Sequence, residues 1–320
     1  MQWWTKGLAI FTTVACGPFV PMSGTNETDG SSGMETSSDG GATTENGEVT
    51  TGVTVPPECE WVEIVDPALD EEQLAKRFGH SSPFTGEEMA EIREIYVEES
   101  GVRSLQGLEC AVGLQRLVLT RNEIEDVSPL AGLPNLRSLE LDENQITDVG
   151  PLGTLPALEN LNLRINQITD VSPLAEAPKL GRVNLTGNPV GDLSSLAALV
   201  SLNTLVAVDT GITSLEGLRG SSLVSLYVSV NPMLTDVSPV VDMPDLLILE
   251  IGRTGVTDLS PLLEVDWEPC ASVLGVTEAS LDAYSLEVVI PVLCERKVHV
   301  TWDEGECDHE LDPMYQPCIA

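Results

Sequence analysis

The residue types that most often carry out chemistry are few in this chain, and none is arranged for it. Three histidines, His80, His299 and His309, stand far apart in sequence. None falls in an HExxH pattern, which would set two imidazoles on one helix face for a metal. No serine sits in a GxSxG elbow, and no glycine-rich loop for a phosphate or dinucleotide is present. Acidic residues number 51 against 15 basic ones, so any chosen pair of carboxylates is uninformative. The reading is of a chain that is not an enzyme, with no catalytic residue, no cofactor and no metal. A formal net charge of −36 repels phosphates and argues against nucleic acid. It also argues against direct adhesion to anionic lipid headgroups. Cations and basic proteins are what such a surface can attract.

Seven cysteines remain: Cys16, Cys59, Cys110, Cys270, Cys294, Cys307 and Cys318. Cys307, His309 and Cys318 have the types of metal ligands, but in an exported chain disulfides are the better reading. Export is argued from the N-terminus. Lys6 is the only charge before the apolar run Leu8-Ala9-Ile10-Phe11, and Thr13-Val14-Ala15-Cys16 follow. A basic start, a short apolar core and a small-residue site describe a secretory signal. The run is too short to span a bilayer. The Ala15-Cys16 step resembles the lipobox of bacterial lipoproteins, with Thr13 where that family usually has leucine. The resemblance implies that residues 1–15 are removed and that Cys16 carries lipid; ordinary secretion is the alternative. Membrane attachment would then be by the lipid alone. Residues 17–58 are rich in Gly, Ser, Thr and acids, without Lys or Arg. Such a segment buries too little apolar surface to order itself, so 16–58 reads as a lipidated cysteine and a flexible acidic tether. With Cys16 lipidated, six cysteines allow fifteen pairings. Cys307 with Cys318 is the first pairing expected and Cys270 with Cys294 the second. Cys110 occupies a core position where a buried thiol is also reasonable, so a Cys59–Cys110 bridge is weakly supported.

The elements that would position any site are visible as a repeat. Residues 136–157 read LRSLELDENQITDVGPLGTLPA, and residues 158–179 read LENLNLRINQITDVSPLAEAPK. The block before, 114–135, reads LQRLVLTRNEIEDVSPLAGLPN. A fixed 22-residue period of this kind marks a solenoid. The register runs from Ile92 through blocks starting at Leu180, Leu202, Leu223 and Leu246, with a degenerate block after Cys270. Leu139 and Leu141 alternate with outward residues, as in a strand with one buried face. Asn144, with Asn122, Asn166, Asn188 and Asn231, falls where the chain must turn. A buried amide there can satisfy backbone groups of neighbouring turns. Ser-Pro pairs at 128, 172, 238 and 260 predict short 3₁₀ turns on the return side, with the serine hydroxyl as the cap. The column Asp126, Asp148, Asp170, Asp192, Asp236 and Asp258 just before them reads as backbone capping, ahead of a cation ladder.

These motifs resemble the internalin-like class of 22-residue leucine-rich repeats. The resemblance implies an α/β solenoid: a leucine-rich-repeat horseshoe with a parallel concave sheet and short 3₁₀ turns on the convex side. It implies a helical N-terminal cap over 59–91, with Leu69, Leu74 and Phe78 buried. Repeats then fill 92–269. The degenerate last repeat and a helix-strand cap fill 270–302, with Ile290, Leu293, Val298, Val300 and Trp302 buried. Residues 303–320 form an acidic, cysteine-containing tail.

In such a horseshoe the residues between the buried leucines face outward on the concave side. The candidate binding residues are Arg116, Glu140, Asn162, Arg164, Arg182, Asn184, Val206, Tyr227 and Ile248. They vary between repeats while the buried positions recur. The expected function is a cell-envelope binding protein that recognises a protein, ahead of a glycan, on this face. The alternative is a structural or assembly component of the envelope with no soluble ligand.

Overall fold

A computed structural model describes residues 55–303 and 305–307. The signal segment, Cys16, most of the tether and the tail with Cys318 lie outside the described residues.

Each repeat contributes one three-residue strand, because only that many residues alternate cleanly about the central leucine. The strands are β3 (Glu94–Tyr96), β4 (Arg116–Val118), β5 (Ser138–Glu140), β6 (Asn160–Asn162) and β7 (Arg182–Asn184). They continue as β8 (Thr204–Val206), β9 (Ser225–Tyr227), β10 (Ile248–Glu250) and β11 (Val273–Gly275). The C-terminal cap adds β12 (His299–Trp302) and β13 (Gly305–Glu306). All eleven form one sheet in chain order. Pairing is parallel from β3 to β12, and only β13 runs antiparallel. The register is continuous: Leu117, Leu139, Leu161, Val183, Leu205, Leu226, Leu249, Leu274 and Val300 lie side by side. All nine are buried. A one-residue slip would expose the whole column, so the hydrophobic pattern locks the register. The architecture is a leucine-rich-repeat solenoid with a parallel sheet on one side and short helical turns on the other.

The asparagine ladder forms as its spacing predicts. Asn188 is fully buried. Its Oδ1 accepts from the Ile168 amide of the preceding turn at 3.1 Å, and its Nδ2 donates to Leu163 and Leu185 carbonyls at 2.8 and 2.9 Å. Asn122, Asn144, Asn166 and Asn231 repeat the pattern. Two turns use threonine instead. The hydroxyls of Thr210 and Thr254 donate to Ala207 and Ile251 carbonyls. The residue just before each ladder position takes a left-handed backbone: Arg121, Glu143 and Arg253 at φ 56–57, Ile165 at 51 and Val230 at 60. That geometry turns the amide inward. For β-branched Ile165 and Val230 it is rare and unfavourable.

The return side carries 3₁₀ turns at Ser128–Leu130, Ser172–Glu176, Ser194–Ala198, Ser238–Asp242 and Ser260–Leu263, and one α turn at Gly150–Gly153. The cap differs from expectation. No serine hydroxyl caps these turns. The aspartate two residues earlier accepts the backbone N–H instead, at 2.7–2.8 Å in all six repeats. The carboxylate is longer by one bond and reaches an amide that the serine, at the first position of the turn, cannot. The aspartates of this column are therefore engaged in capping.

The N-terminal cap is a helical run over 67–78 and a small antiparallel pair, β1 (Trp61–Val62) with β2 (Phe84–Thr85). Leu69 and Leu74 are fully buried, whereas Phe78 is only partly so. Phe84 takes the central place, with its ring centroid 5.4 Å from that of Phe78. Buried Asp66 caps the run through the Ala68 amide at 3.0 Å. It also accepts from Arg103 and Ser104 amides at 2.7 and 3.1 Å. One carboxylate thus ties the cap to the first repeat. At the far end Ile290, Leu293, Val298 and Val300 are buried, and Trp302 is half-buried.

The disulfides correct the expected pairing. Cys59 bonds Cys110, with Cα atoms 5.7 Å apart, so Cys110 is not a free thiol. Cys307 bonds Cys294 at a Cα separation of 5.8 Å, in place of the expected Cys307–Cys318 pairing. The cause is the β12–β13 hairpin, where Thr301 pairs with Glu306 and Trp302 with Gly305. It turns the chain back and returns Cys307 to the C-terminus of the helical run 285–295. A tail beginning at residue 303, as the sequence suggests, would have no hairpin to do this. Cys270 is disulfide-bonded as well.

Candidate functional site

The outward residues of the strands form columns one strand spacing apart. The middle column brings Glu140 beside Asn162, Asn162 beside Asn184, Asn184 beside Val206, and Val206 beside Tyr227. The column before it places Arg182 next to Thr204, and Ser225 next to Ile248. Among the residues expected to bind, Arg116 and Arg182 are exposed and the other seven half-buried. The structure therefore brings all nine to one face. Val118 stands in an outward column yet is buried.

Chemistry along the face changes from end to end. Near the N-terminal end it is acidic and cross-linked by hydrogen bonds. Asp142 accepts from the Thr120 hydroxyl at 2.9 Å and from the Asn162 amide at 3.1 Å. Burial raises the pKa of the Glu140 carboxyl, and neighbouring Asp142 adds to the rise, while Arg116 opposes it. The middle carries the arginines. Arg164 is not a free cation: it pairs with Glu143 at 2.9 Å, and Glu143 meets Arg121 at 3.5 Å, which in turn pairs with Glu99. Apart from Arg164, this ladder lies on the left-handed turn column. Its signal lies in the sequence, where Glu99, Arg121 and Glu143 alternate in sign at 22-residue spacing.

The C-terminal half is apolar around Val206, Val208, Tyr227 and Ile248, all half-buried. Glu250 sits in the middle column between Tyr227 and Gly275. It was in the outward column but outside the set singled out, and Gly275 gave no signal at all. Burial pushes the Glu250 carboxyl pKa up. Tyr227 is pushed up by burial and then by Glu250.

Among the described residues no group of three or more His, Cys, Asp or Glu side chains is placed to hold a metal. Two shallow, open depressions lie beside the strands and not on them: one along Gly187–Gly191 and Asp209–Gly211, the other between Arg103 and Pro129. No described helix is long and apolar enough to cross a membrane.

Residues 112–154, 134–176 and 156–198 match the family model for leucine-rich repeats in two-copy units. The fold is shared with internalin C2 of Listeria monocytogenes at TM-score 0.60 and 25% identity, over 74% of this chain and 93% of that one. The chain is thus similar to the internalins: its leucine-rich repeats stack in the same fold. A second internalin of Listeria monocytogenes, InlF, matches at TM-score 0.57 and 27% identity over 74% of each chain. No curated protein sequence matches the chain. An internalin-like solenoid is a protein-interaction domain: its sheet is one extended, rigid surface and not a cleft. Its disulfides belong to an oxidising, extracytoplasmic setting.

Proposed function

We propose that this is a non-enzymatic, cell-envelope binding protein that holds a protein ligand on its concave strand face. In this reading Cys16 carries the lipid anchor, and residues 17–58 are the tether that lets the solenoid stand off the membrane. The observation that supports it is the contrast between columns. The buried column of the sheet is aliphatic in every parallel strand from β3 to β12, while the outward columns pass from carboxylates through arginines and amides to a tyrosine-centred apolar area. Only a free surface tolerates such variation on an invariant stack. Exposed arginine beside an apolar area with tyrosine is the composition of protein-binding anchors.

The test is R182A and Y227A, singly and together, against Val200→Ser in the turn before β8, where Val200 is strongly exposed. On intact cells, crosslinking is expected to give one dominant partner with the parent chain and with V200S. The double variant is expected to lose it at unchanged melting temperature. Persistence of the adduct in the double variant puts the site elsewhere. A heterogeneous ladder of envelope neighbours indicates a structural component. Intact mass of the detergent-extracted protein tests the anchor, since acyl chains must sit on Cys16.

A further inference from the structure

The C-terminal half of the strand face carries a charge that the protein does not itself answer. Glu250 is the only acidic residue of the middle column within this apolar half, and its neighbours on the sheet are Tyr227 and Gly275. Its carboxylate lies over Gly275, in the space where a β-carbon would stand. A Cβ on Gly275 would come closer to Glu250 Oε2 than atoms can approach. The glycine thus opens the pocket into which the carboxylate folds.

No cation among the described residues forms an ion pair with Glu250. The nearest arginine in sequence, Arg253, pairs with Glu278, and Arg219 pairs with Glu216 and Asp242. The other carboxylate of the same column, Glu140, has Arg116 close enough to oppose its rise in pKa. For Glu250 burial acts alone. A carboxylate partly withdrawn from water with no counter-charge beside it is disfavoured. That cost is recovered when a partner brings the cation.

We propose that this end of the face receives a lysine or arginine side chain of the protein ligand, its charged head on Glu250 and its stem along Tyr227, Val206 and Ile248. The inference rests on the reading of the strand face as the ligand face. A basic head over a tyrosine ring gains a cation–π contact, and the aliphatic stem covers apolar surface while the head reaches the carboxylate. The net charge of −36 steers basic partners toward the molecule. Glu250 then selects where a basic side chain seats.

The probe is a library of random dodecapeptides displayed on phage, panned on the full chain at about 0.15 M salt, where charges beyond roughly 8 Å are screened. Peptides selected by the parent are expected to share a lysine or arginine among apolar residues. They are expected to bind E250Q about thirtyfold more weakly or worse, as when one partner of a desolvated charge pair is removed. G275A, whose new Cβ displaces only the mobile end of Glu250, is expected to weaken them as well. E250K is expected to select acidic peptides. General attraction to a polyanion cannot mimic this, since E250Q removes one charge of the net 36. If the peptides lose binding to R182E but show no basic residue, or are indifferent to E250Q, the basic-side-chain assignment falls while the ligand face stands. If binding survives both R182E and E250Q, or panning yields no binder to the strand face, both readings fall. Melting temperatures of all variants exclude loss of fold as the cause.

Discussion

Glu250 shows how a single residue sets function against stability. Its folded pKa is raised, so above that value the folded state holds a charge that is disfavoured relative to the unfolded chain. The sign is opposite to that of an ion-paired carboxylate: the penalty is fully present above the raised folded value and is relieved as pH falls through it toward the ordinary 4.5. E250Q should therefore melt higher than the parent at pH 7. The gain should fade on acidification toward pH 4.5, in thermal melts at a series of pH values. An E250Q that melts lower than the parent at pH 7 would mean that the carboxylate has a stabilising partner. Weaker binding with higher stability in one variant is the signature of a group retained for its ligand.

At the scale of the element, the strand is too short to hold itself, and the turn that follows does the holding. The Asn188 side chain satisfies one amide and two carbonyls belonging to three different segments. Asn188→Ala leaves those groups buried without partners, at about 1–3 kcal/mol for an unsatisfied group. A loss of about 3 kcal/mol in urea denaturation is expected, with hydrogen exchange quickened first at Ile168 and its neighbours. A loss below about 0.5 kcal/mol would show that water replaces the amide. Ile165 offers the converse. It holds a left-handed backbone at φ 51 and a side chain that is 42% exposed, so Ile165→Gly removes strain at little packing cost. It should stabilise the chain by about 0.5–1 kcal/mol net of the glycine's added unfolded-state entropy. A neutral or destabilising result in the same urea series would assign Ile165 a packing role against Gly187, which its side chain approaches.

For the whole molecule, stability depends on what closes the two ends of the stack, since a terminal repeat lacks one neighbour. The N-terminal end is closed three ways: by the β1–β2 pair, by Asp66 bonding across to Arg103 and Ser104, and by the Cys59–Cys110 bridge. That bridge spans 51 residues, the bridge from Cys294 to Cys307 only 13. Loop entropy makes the longer one worth more, about 4 kcal/mol against about 3. Replacing Cys59 and Cys110 with alanine should lower denaturant stability by about 2–4 kcal/mol and localise early exchange to residues 59–110. Equal protection at both ends after that change would show that the cap holds without its bridge. Peptide mapping without reduction checks both links directly.

The repeat was legible because a solenoid writes its structure into local sequence. Leu139 meets Leu161 and Leu117 only because each sits at the same place in its own turn. Period, strand face, turn amide and capping aspartate could thus be read from spacing alone. So could the positions of the nine face residues. What could not be read are the contacts made where the 22-residue period stops or slips. The partner of Cys307 depends on a hairpin of two-residue pairing, too short to leave a pattern. The burial of Phe84 in place of Phe78 depends on how the cap packs, and caps are where the period stops. Glu250 and Gly275 belong to different repeats, and a glycine has no side chain with which to announce a site. Their meeting arises from lateral register between β10 and β11. Periodicity determined the scaffold, since identical local environments recur. Tertiary structure decided the ends and the surroundings of Glu250, since those exist only where unlike neighbours meet.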